Sequence, residues 1–584
     1  MLKKLTFSIM AILIIASLTF ASDTKTEVNA KANLVFDNST GKVVSNYTPP
    51  SKTQVGEAIY IGAMFNAYTT QASFTNQIYY DPYSNLIGII KRSDPSGPGS
   101  GYIYYQVSDD LGQNWTSQIG PMNAEGHTSG RHPNIVLSNP TKGSLENVSV
   151  VAGWAELDAS WLYYAFSGEP LGSMAPTTTI YEPYYPGDEM FVNSQGHAFG
   201  VVALIEYPED GTNNYLFKSE DGGLTWEQTS ISYNTDFYDD TWNGTKGDIN
   251  SFGNGYIMVQ GQNPEWGDEY HFAVKATSDD GSTWAEEWSW VNVFDVAYGE
   301  GVLGDVVQAL NYEVDFITYT PEGSEEAYAF FAGTFVDTTG SNTGIYVIDN
   351  QTGDWRATQI STVNATSMTL PGSGGLTTLN EVEFARSEQG SVLALKYADL
   401  PTAEATMYDL FVTWYDGETW TPVENYTQTT DVYEKYSQTA SILHEVAENE
   451  WQLISMYTIF GDGDTEDTAP SELWYVDGVT AHVEPKITSV EDNEEIAVSF
   501  SLSQNYPNPF NPSTTIKYSV PQVSEVSLKV YDVLGREVAT LVDAQQAQGT
   551  YQVNFDASNL ASGMYIYTIK AGSFVSSKKM LLMK

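Results

Sequence analysis

The chain has no cysteine among its 584 residues, which excludes disulfides, thiolate metal ligands and a cysteine nucleophile. Basic residues are scarce: 25 Lys and Arg stand against 74 Asp and Glu, for a net charge of −49. Only sixteen of the basic residues fall between positions 22 and 490. Such a surface repels phosphate backbones and anionic lipid, so nucleic acid is excluded as a partner. Helical periodicity is almost absent, and no Gly-rich phosphate cradle, nucleophile elbow or metalloprotease helix is found. The one long apolar run, Leu5 to Phe20, follows the charged Met1-Leu-Lys-Lys4 and leads to Thr19-Phe20-Ala21. With small residues at −3 and −1 it reads as a signal peptide over residues 1–21, cleaved after Ala21. It falls short of the roughly 20 residues a membrane span needs. No other segment qualifies, so the mature chain is expected to have no transmembrane span.

Aromatic residues, in contrast, are abundant at 13%, with 39 Tyr and 14 Trp. Strand propensity accounts for them, and so do platforms for sugar rings. Short β-type runs recur along residues 22–484, and three segments repeat between them. These are Ser108-Asp-Asp-Leu-Gly-Gln-Asn-Trp115, Ser219-Glu-Asp-Gly-Gly-Leu-Thr-Trp226 and Ser278-Asp-Asp-Gly-Ser-Thr-Trp284. Asp416-Gly-Glu-Thr-Trp420 and Thr352-Gly-Asp-Trp355 are weaker echoes. The pattern resembles the Asp-box (BNR) repeat of sialidases and many other secreted β-propellers. Its residue types suit a hairpin: Asp accepts N–H bonds within its own turn, glycine takes the left-handed position, and Trp packs the turn on the sheet. Asp110, Trp115, Asp221, Trp226, Asp280 and Trp284 are therefore expected to be structural. The strand runs group into seven units of about sixty residues; Leu34-Val-Phe36 closing a shared blade would make six. The fold class is all-β: a six- or seven-bladed propeller followed by a small Ig-like sandwich.

That sandwich is expected over residues 505–584, after an acidic linker at 485–504. Val526, Leu528 and Val530 alternate with polar neighbours, as do Tyr551, Val553 and Phe555, and glycines punctuate the runs. Asn505-Tyr-Pro-Asn-Pro-Phe-Asn-Pro512, Val526-Ser-Leu-Lys-Val-Tyr-Asp-Val-Leu-Gly-Arg536, Ser562-Gly-Met-Tyr-Ile-Tyr-Thr-Ile-Lys-Ala-Gly572 and the basic end Lys578-Lys-Met-Leu-Leu-Met-Lys584 follow in order. This resembles the type A C-terminal sorting domain of cargo of the type IX secretion system. The resemblance implies export through the periplasm, delivery to the cell surface or beyond, and the secretion machinery as a partner.

Candidate site residues are few. His127, Arg131 and His132 lie in a loop that leads into an inner strand, and Glu383 and Arg386 flank another; with Arg92 they are the candidates for ligand contact. An ordinary polar loop and an ion pair account for the same residues. Asp236, Asp239, Asp240 and Asp248 crowd one long loop beside Tyr238 and Trp242, where carboxylate oxygens suit Ca²⁺ or a sugar and also a solvated loop. Sialidase chemistry, which the Asp-box resemblance brings to mind, needs three arginines around a carboxylate, a Tyr nucleophile activated by Glu, and an Asp acid/base. Arg356 follows a degenerate box, leaving only Arg92, Arg131 and Arg386, and the Arg-Ile-Pro segment expected before the first box is missing. The leading expectation is a non-catalytic propeller that binds a glycan or surface protein. The alternatives are a sialidase-like glycoside hydrolase or lyase and a structural adhesion component.

Overall fold

In the computed structural model, residues 34–37, 42–45 and 57–584 are described, apart from 65–74, 94–100, 124–128, 144, 157–162, 182–188, 206–211, 231–242, 264–269, 294–295, 299–305, 338–342, 365–379, 406, 430–433, 461–470, 487–500, 503–504, 506–509, 511, 534, 548, 573 and 583. The chain divides into two compact units, Met1–Ile487 and Thr488–Lys584.

Among the described residues the first unit holds seven successive sheets, antiparallel except for one parallel edge pair in the fifth, beside a small three-stranded sheet of His444–Ala447, Glu450–Gln452 and Thr480–His482 and one separate hairpin. The first strands of the seven are Ile78–Asp81 (sheet 1), Gly130–Ser138 (sheet 2), Met190–Val192 (sheet 3), Asn243–Ile249 (sheet 4), Val306–Tyr319 (sheet 5), Glu383–Arg386 (sheet 6) and Lys435–Thr439 (sheet 7). Each first strand touches the first strand of the next sheet, and that of sheet 7 touches that of sheet 1. This cyclic adjacency makes a β-propeller with the first strands around its axis. Strongly apolar strands such as Leu86–Ser93, Ser149–Glu156 and Leu393–Asp399 are buried along their length because each sheet is covered on both faces by its neighbours.

Closure comes from far away in sequence. Sheet 7 runs Lys435–Thr439, Ser455–Phe460, Ser471–Asp477, and its outer strand is Glu57–Met64, paired antiparallel with Ser471–Asp477. Ile61 and Met64 join Ile78, Ile87 and Ile89 of sheet 1 and Leu473 and Tyr475 in one apolar cluster. Leu34–Asp37, whose closing of a shared blade would have made the number six, pairs with Lys42–Ser45 in a two-stranded hairpin.

The repeated boxes follow third strands, and in each the same hydrogen bonds recur. Asp110 Oδ1 accepts from Ser108 Oγ and from the N–H of Asn114, both at 2.8 Å, while Gly112 N donates to Ser108 Oγ. Asp221 does the same with Ser219 and Thr225, and Gly223 N with Ser219 Oγ. In the third copy the register lies one residue earlier than the sequence suggested. Thr277 supplies the hydroxyl and Asp279, not Asp280, accepts from Thr277 Oγ1 (3.0 Å) and Thr283 N (2.8 Å). Asp280 instead holds a turn of sheet 3, accepting from Ser194 N at 3.0 Å and Ser194 Oγ at 2.8 Å.

These turns also join neighbouring sheets. Gly112, Gly223 and Gly281 have φ of 83°, 88° and 77°. A Cβ would lie 2.3 Å from Tyr475 at Gly112, 2.8 Å from Val151 at Gly223 and 2.9 Å from Phe199 at Gly281, each on the preceding sheet. Glycine is thus required twice over, for its backbone angle and for close approach. The tryptophans cover the same seams: Trp226 stacks on Phe166 with ring centroids 4.2 Å apart, and Trp115 meets Tyr475 edge-on at 6.0 Å.

The second unit pairs a three-stranded sheet (Ser501–Leu502, Ser513–Val520, Gly549–Asp556) with a four-stranded one (Glu537–Gln546, Ser524–Asp532, Gly563–Ala571, Phe574–Leu582). Val526, Leu528 and Val530 point inward, with Ile516, Tyr518, Phe555 and Tyr567. Phe510, in the middle of the proline run, is buried against Phe555 and donates its N–H to Leu581 O at 3.0 Å.

Candidate functional site

The first strands start at one end of the ring. Second strands run antiparallel to them, so Arg92, near the end of its strand, lies at that same end. The boxes lie at the other. Charged side chains line the first strands: Arg131 and Glu383 near the start of two of them, Glu189 just before a third, and Lys246, Asp248 and Asp315 further along two more.

Arg386 is buried and uses all five of its N–H donors. Nε and Nη2 pair with Asp248 Oδ2 and Oδ1 at 2.8 and 3.0 Å, Nη2 also reaches Ile249 O, and Nη1 reaches the carbonyls of Ser387 and Glu388. Asp248 Oδ2 accepts Thr318 N as well, at 2.9 Å. Burial alone would pull the guanidinium pKa down; the charge and hydrogen bonds of Asp248 more than offset it and hold it above its ordinary value. Asp248 thus belongs to a first strand, and not to the acidic loop in which its sequence neighbours suggested it.

Lys246 Nζ bridges Glu189 Oε2 at 3.0 Å and Asp315 Oδ1 at 2.7 Å, and Asp315 Oδ2 accepts Phe384 N at 2.5 Å. Lys396 Nζ pairs with Glu383 Oε2 at 3.0 Å and donates to Glu381 O and Ser437 Oγ. Burial raises the carboxyl of Glu383 to about 7, offset in part by Lys396 and reinforced by Asp315. Burial likewise raises Glu189 to about 7 against the pull of Lys246. Glu381 is a main-chain anchor, accepting from Tyr436 N and Ser437 N at 2.7 and 2.9 Å.

Arg92, Arg131 and His132 come together, as their effects on one another show. Burial and then Arg131 depress the Arg92 guanidinium well below its ordinary value. Burial, then Arg92 and Arg131, take His132 down to about 3, so its imidazole is neutral at physiological pH. Arg131 is lowered by burial and partly restored by Glu156. Glu156 itself is held by Ser129 N at 2.8 Å and Trp154 Nε1 at 3.0 Å. Arg131 and His132 stand at a bulge where pairing with the second strand shifts register, and His132 has a φ of 47°. A cationic group in so acidic a chain is suited to an anionic ligand.

Two small cavities lie near the axis among the described residues. A cavity of about 20 Å³ is lined by Tyr79, Glu189, Asp248, Phe316, Arg386 and Ile442, and one of about 50 Å³ lies toward the far end beside Asp81, Asn139 and Glu388. Each is of a size for water, whereas a sugar-sized site needs several hundred Å³. Arg386 is committed to Asp248 while Arg92 and Arg131 act on one another, so the three arginines that sialidase chemistry needs are not brought together.

His127 and the carboxylates Asp236, Asp239 and Asp240 lie outside the described residues, as does the second acidic loop at 461–470. Among the described residues no group of three or more His, Asp or Glu is placed to hold a metal ion, and no helix is long and apolar enough to cross a membrane. The sequence reading missed Glu189, Lys246, Asp315 and Lys396. A lone lysine or carboxylate inside a short β run was the signal available.

The family of secretion-system C-terminal sorting domains matches residues 504–583. No curated protein matches the sequence. Among solved structures, an α-L-arabinofuranosidase of Fusarium graminearum is similar at 10% identity, over 61% of this chain and 98% of its own, with a TM-score of 0.36. The sialidase of Trypanosoma rangeli is similar at 11% identity over 96% and 88%, with a TM-score of 0.32. The β-propeller domain of a protease of Pyrococcus furiosus is similar at 9% over 72% and 99%, at 0.33. Scores this low carry no weight for activity, and the architecture rests on the strand pairing itself.

Proposed function

We propose that this chain, exported through its sorting domain to the cell surface or beyond, is a propeller that binds an anionic glycan or an acidic protein without catalysis. The observation that carries the reading is the mutual saturation of the charged groups around the axis. Arg386 has no donor left for a ligand, both oxygens of Asp248 and of Asp315 are engaged, and the adjoining cavity holds about 20 Å³. Arg131, half-buried beside Arg92 and His132, supplies the recognition point. A glycan array probed with the full chain, with and without chelator, tests this: retention should concentrate on carboxylated or sulfated glycans and weaken in Arg131→Ala. Turnover of chromogenic glycosides by the same preparation would sink it.

A glycoside hydrolase is the second reading, and Glu189 and Glu383 favour it. Carboxyls raised to about 7 suit general acid–base work at neutral pH. On that reading turnover is present and Glu189→Gln or Glu383→Gln removes it.

A further inference from the structure

We propose that the seam between sheets 6 and 7 holds one divalent cation of the calcium type, between the carboxylates of Asp409 and Glu434. Asp409 opens the third strand of sheet 6, and Glu434 immediately precedes the first strand of sheet 7. Both are buried, at 2% and 0% exposure. Asn425 Nδ2 donates to Asp409 Oδ2 at 2.5 Å and the Thr429 N–H also serves the Asp409 carboxylate, while Thr429 Oγ1 donates to Glu434 Oε1 at 3.1 Å with the Thr427 hydroxyl also bonded to Glu434. The remaining oxygens, Asp409 Oδ1 and Glu434 Oε2, are buried with no hydrogen-bond partner.

Four carboxylates nearer the axis show the alternative. Glu189, Asp248, Asp315 and Glu383 are each answered by Lys or Arg within 3.0 Å. Among the described residues neither Asp409 nor Glu434 forms an ion pair. The two are close enough for the charge of Asp409 to add to burial in pushing the Glu434 carboxyl well above its ordinary range. Two buried, bare carboxylate oxygens from adjacent sheets are costly unless a positive charge lies between them. Oxygen donors alone, carboxylate and hydroxyl, are the set for a hard cation, and water or main-chain carbonyls complete its shell. Sites of this kind outside the cell work at roughly 10⁻⁴–10⁻³ M calcium, and an exported chain meets such conditions.

The test uses the full chain stripped with EGTA and dialysed at pH 8 against calcium, with bound calcium counted by mass spectrometry. The acidic surface binds calcium loosely, so the measured quantity is the difference between wild type and the isosteric variants Asp409→Asn and Glu434→Gln. One ion fewer per chain in each variant is expected. Terbium should show calcium-displaceable emission sensitised by the buried Tyr426, lost in both variants. Calcium should raise the melting temperature of the wild type by several degrees and that of the variants far less. Equal ion counts in all three proteins would overturn the proposal. So would a calcium-free chain that gains stability on acidification from pH 8 to 6 and none from calcium, since a shared proton would then hold the pair.

Discussion

Arg386 and Asp248, 138 residues apart, meet as a two-pronged ion pair with N–O distances of 2.8 and 3.0 Å, binding sheet 6 to sheet 4 across the axis. Removing the cation alone leaves Asp248 buried and unanswered. Arg386→Met should therefore destabilise the propeller by roughly 3–5 kcal/mol. Arg386→Lys keeps the charge without the fork and should cost less. Urea midpoints read with tryptophan fluorescence would check both, and a midpoint unchanged in Arg386→Met would dismiss the clasp.

Lys91 is buried without a carboxylate, donating to Ala63 O at 2.8 Å and Gln106 Oε1 at 2.5 Å, and burial holds its pKa down to about 7. The unfolded lysine binds its proton up to about 10.4. Between those values the unfolded state is the more protonated, so stability should rise with pH from about 7 toward 10. Lys91→Met should raise stability at pH 7 by about 1–4 kcal/mol and flatten that rise. Melting curves over the range decide.

Glu383 has the opposite sign. Its folded pKa of about 7 lies above the ordinary value of 4.5, so the folded state holds the extra proton between them. Its contribution is full below about 4.5 and is lost as pH rises through 7. Glu383→Gln should remove this slope, and a variant melting with the wild-type pH profile over 4.5–7 would contradict the assignment.

The third box distinguishes two adjacent aspartates. Asp279→Ala removes the acceptor for Thr283 N and Thr277 Oγ1 and should cost about 1–2 kcal/mol, as loss of a helix cap does. Asp280→Ala should instead loosen the Ser194 turn of sheet 3, seen as faster amide exchange at Ser194, whose N–H Asp280 accepts. Exchange changes confined to residues 277–283 in both variants would refute the division of labour.

Deleting residues 505–584 should leave a folded propeller in the periplasm. Cell fractionation with surface proteolysis checks it, and normal surface display of the truncated chain would refute it.

The boxes were legible because their bonds are local: Asp, Gly and Trp within eight residues define the turn. Even there Ser278 drew the eye from Thr277, since the hydroxyl matters to the turn and the residue name does not. The Val526, Leu528, Val530 alternation likewise announced its inward face. The charged cluster was not legible. Lys246 finds Glu189 and Asp315 at separations of 57 and 69 residues, and nothing near Lys246 encodes the angle at which three sheets converge. First strands such as Met190–Val192 are short, and Asn243–Ile249 is polar, because they face the axis, so neither carries the apolar pattern of a strand.

The pairing of Glu57–Met64 with Ser471–Asp477 also sets a schedule. A chain threaded through a membrane from its N-terminus delivers Glu57–Met64 first and its partner some four hundred residues later. Until then Glu57–Met64 has no partner strand and its edge stays open to other chains. The sorting domain follows directly behind the segment that closes the ring. The sorting domain is therefore completed only after the last strand of the propeller has arrived, so the order of the sequence gives the ring time to close before the address is finished.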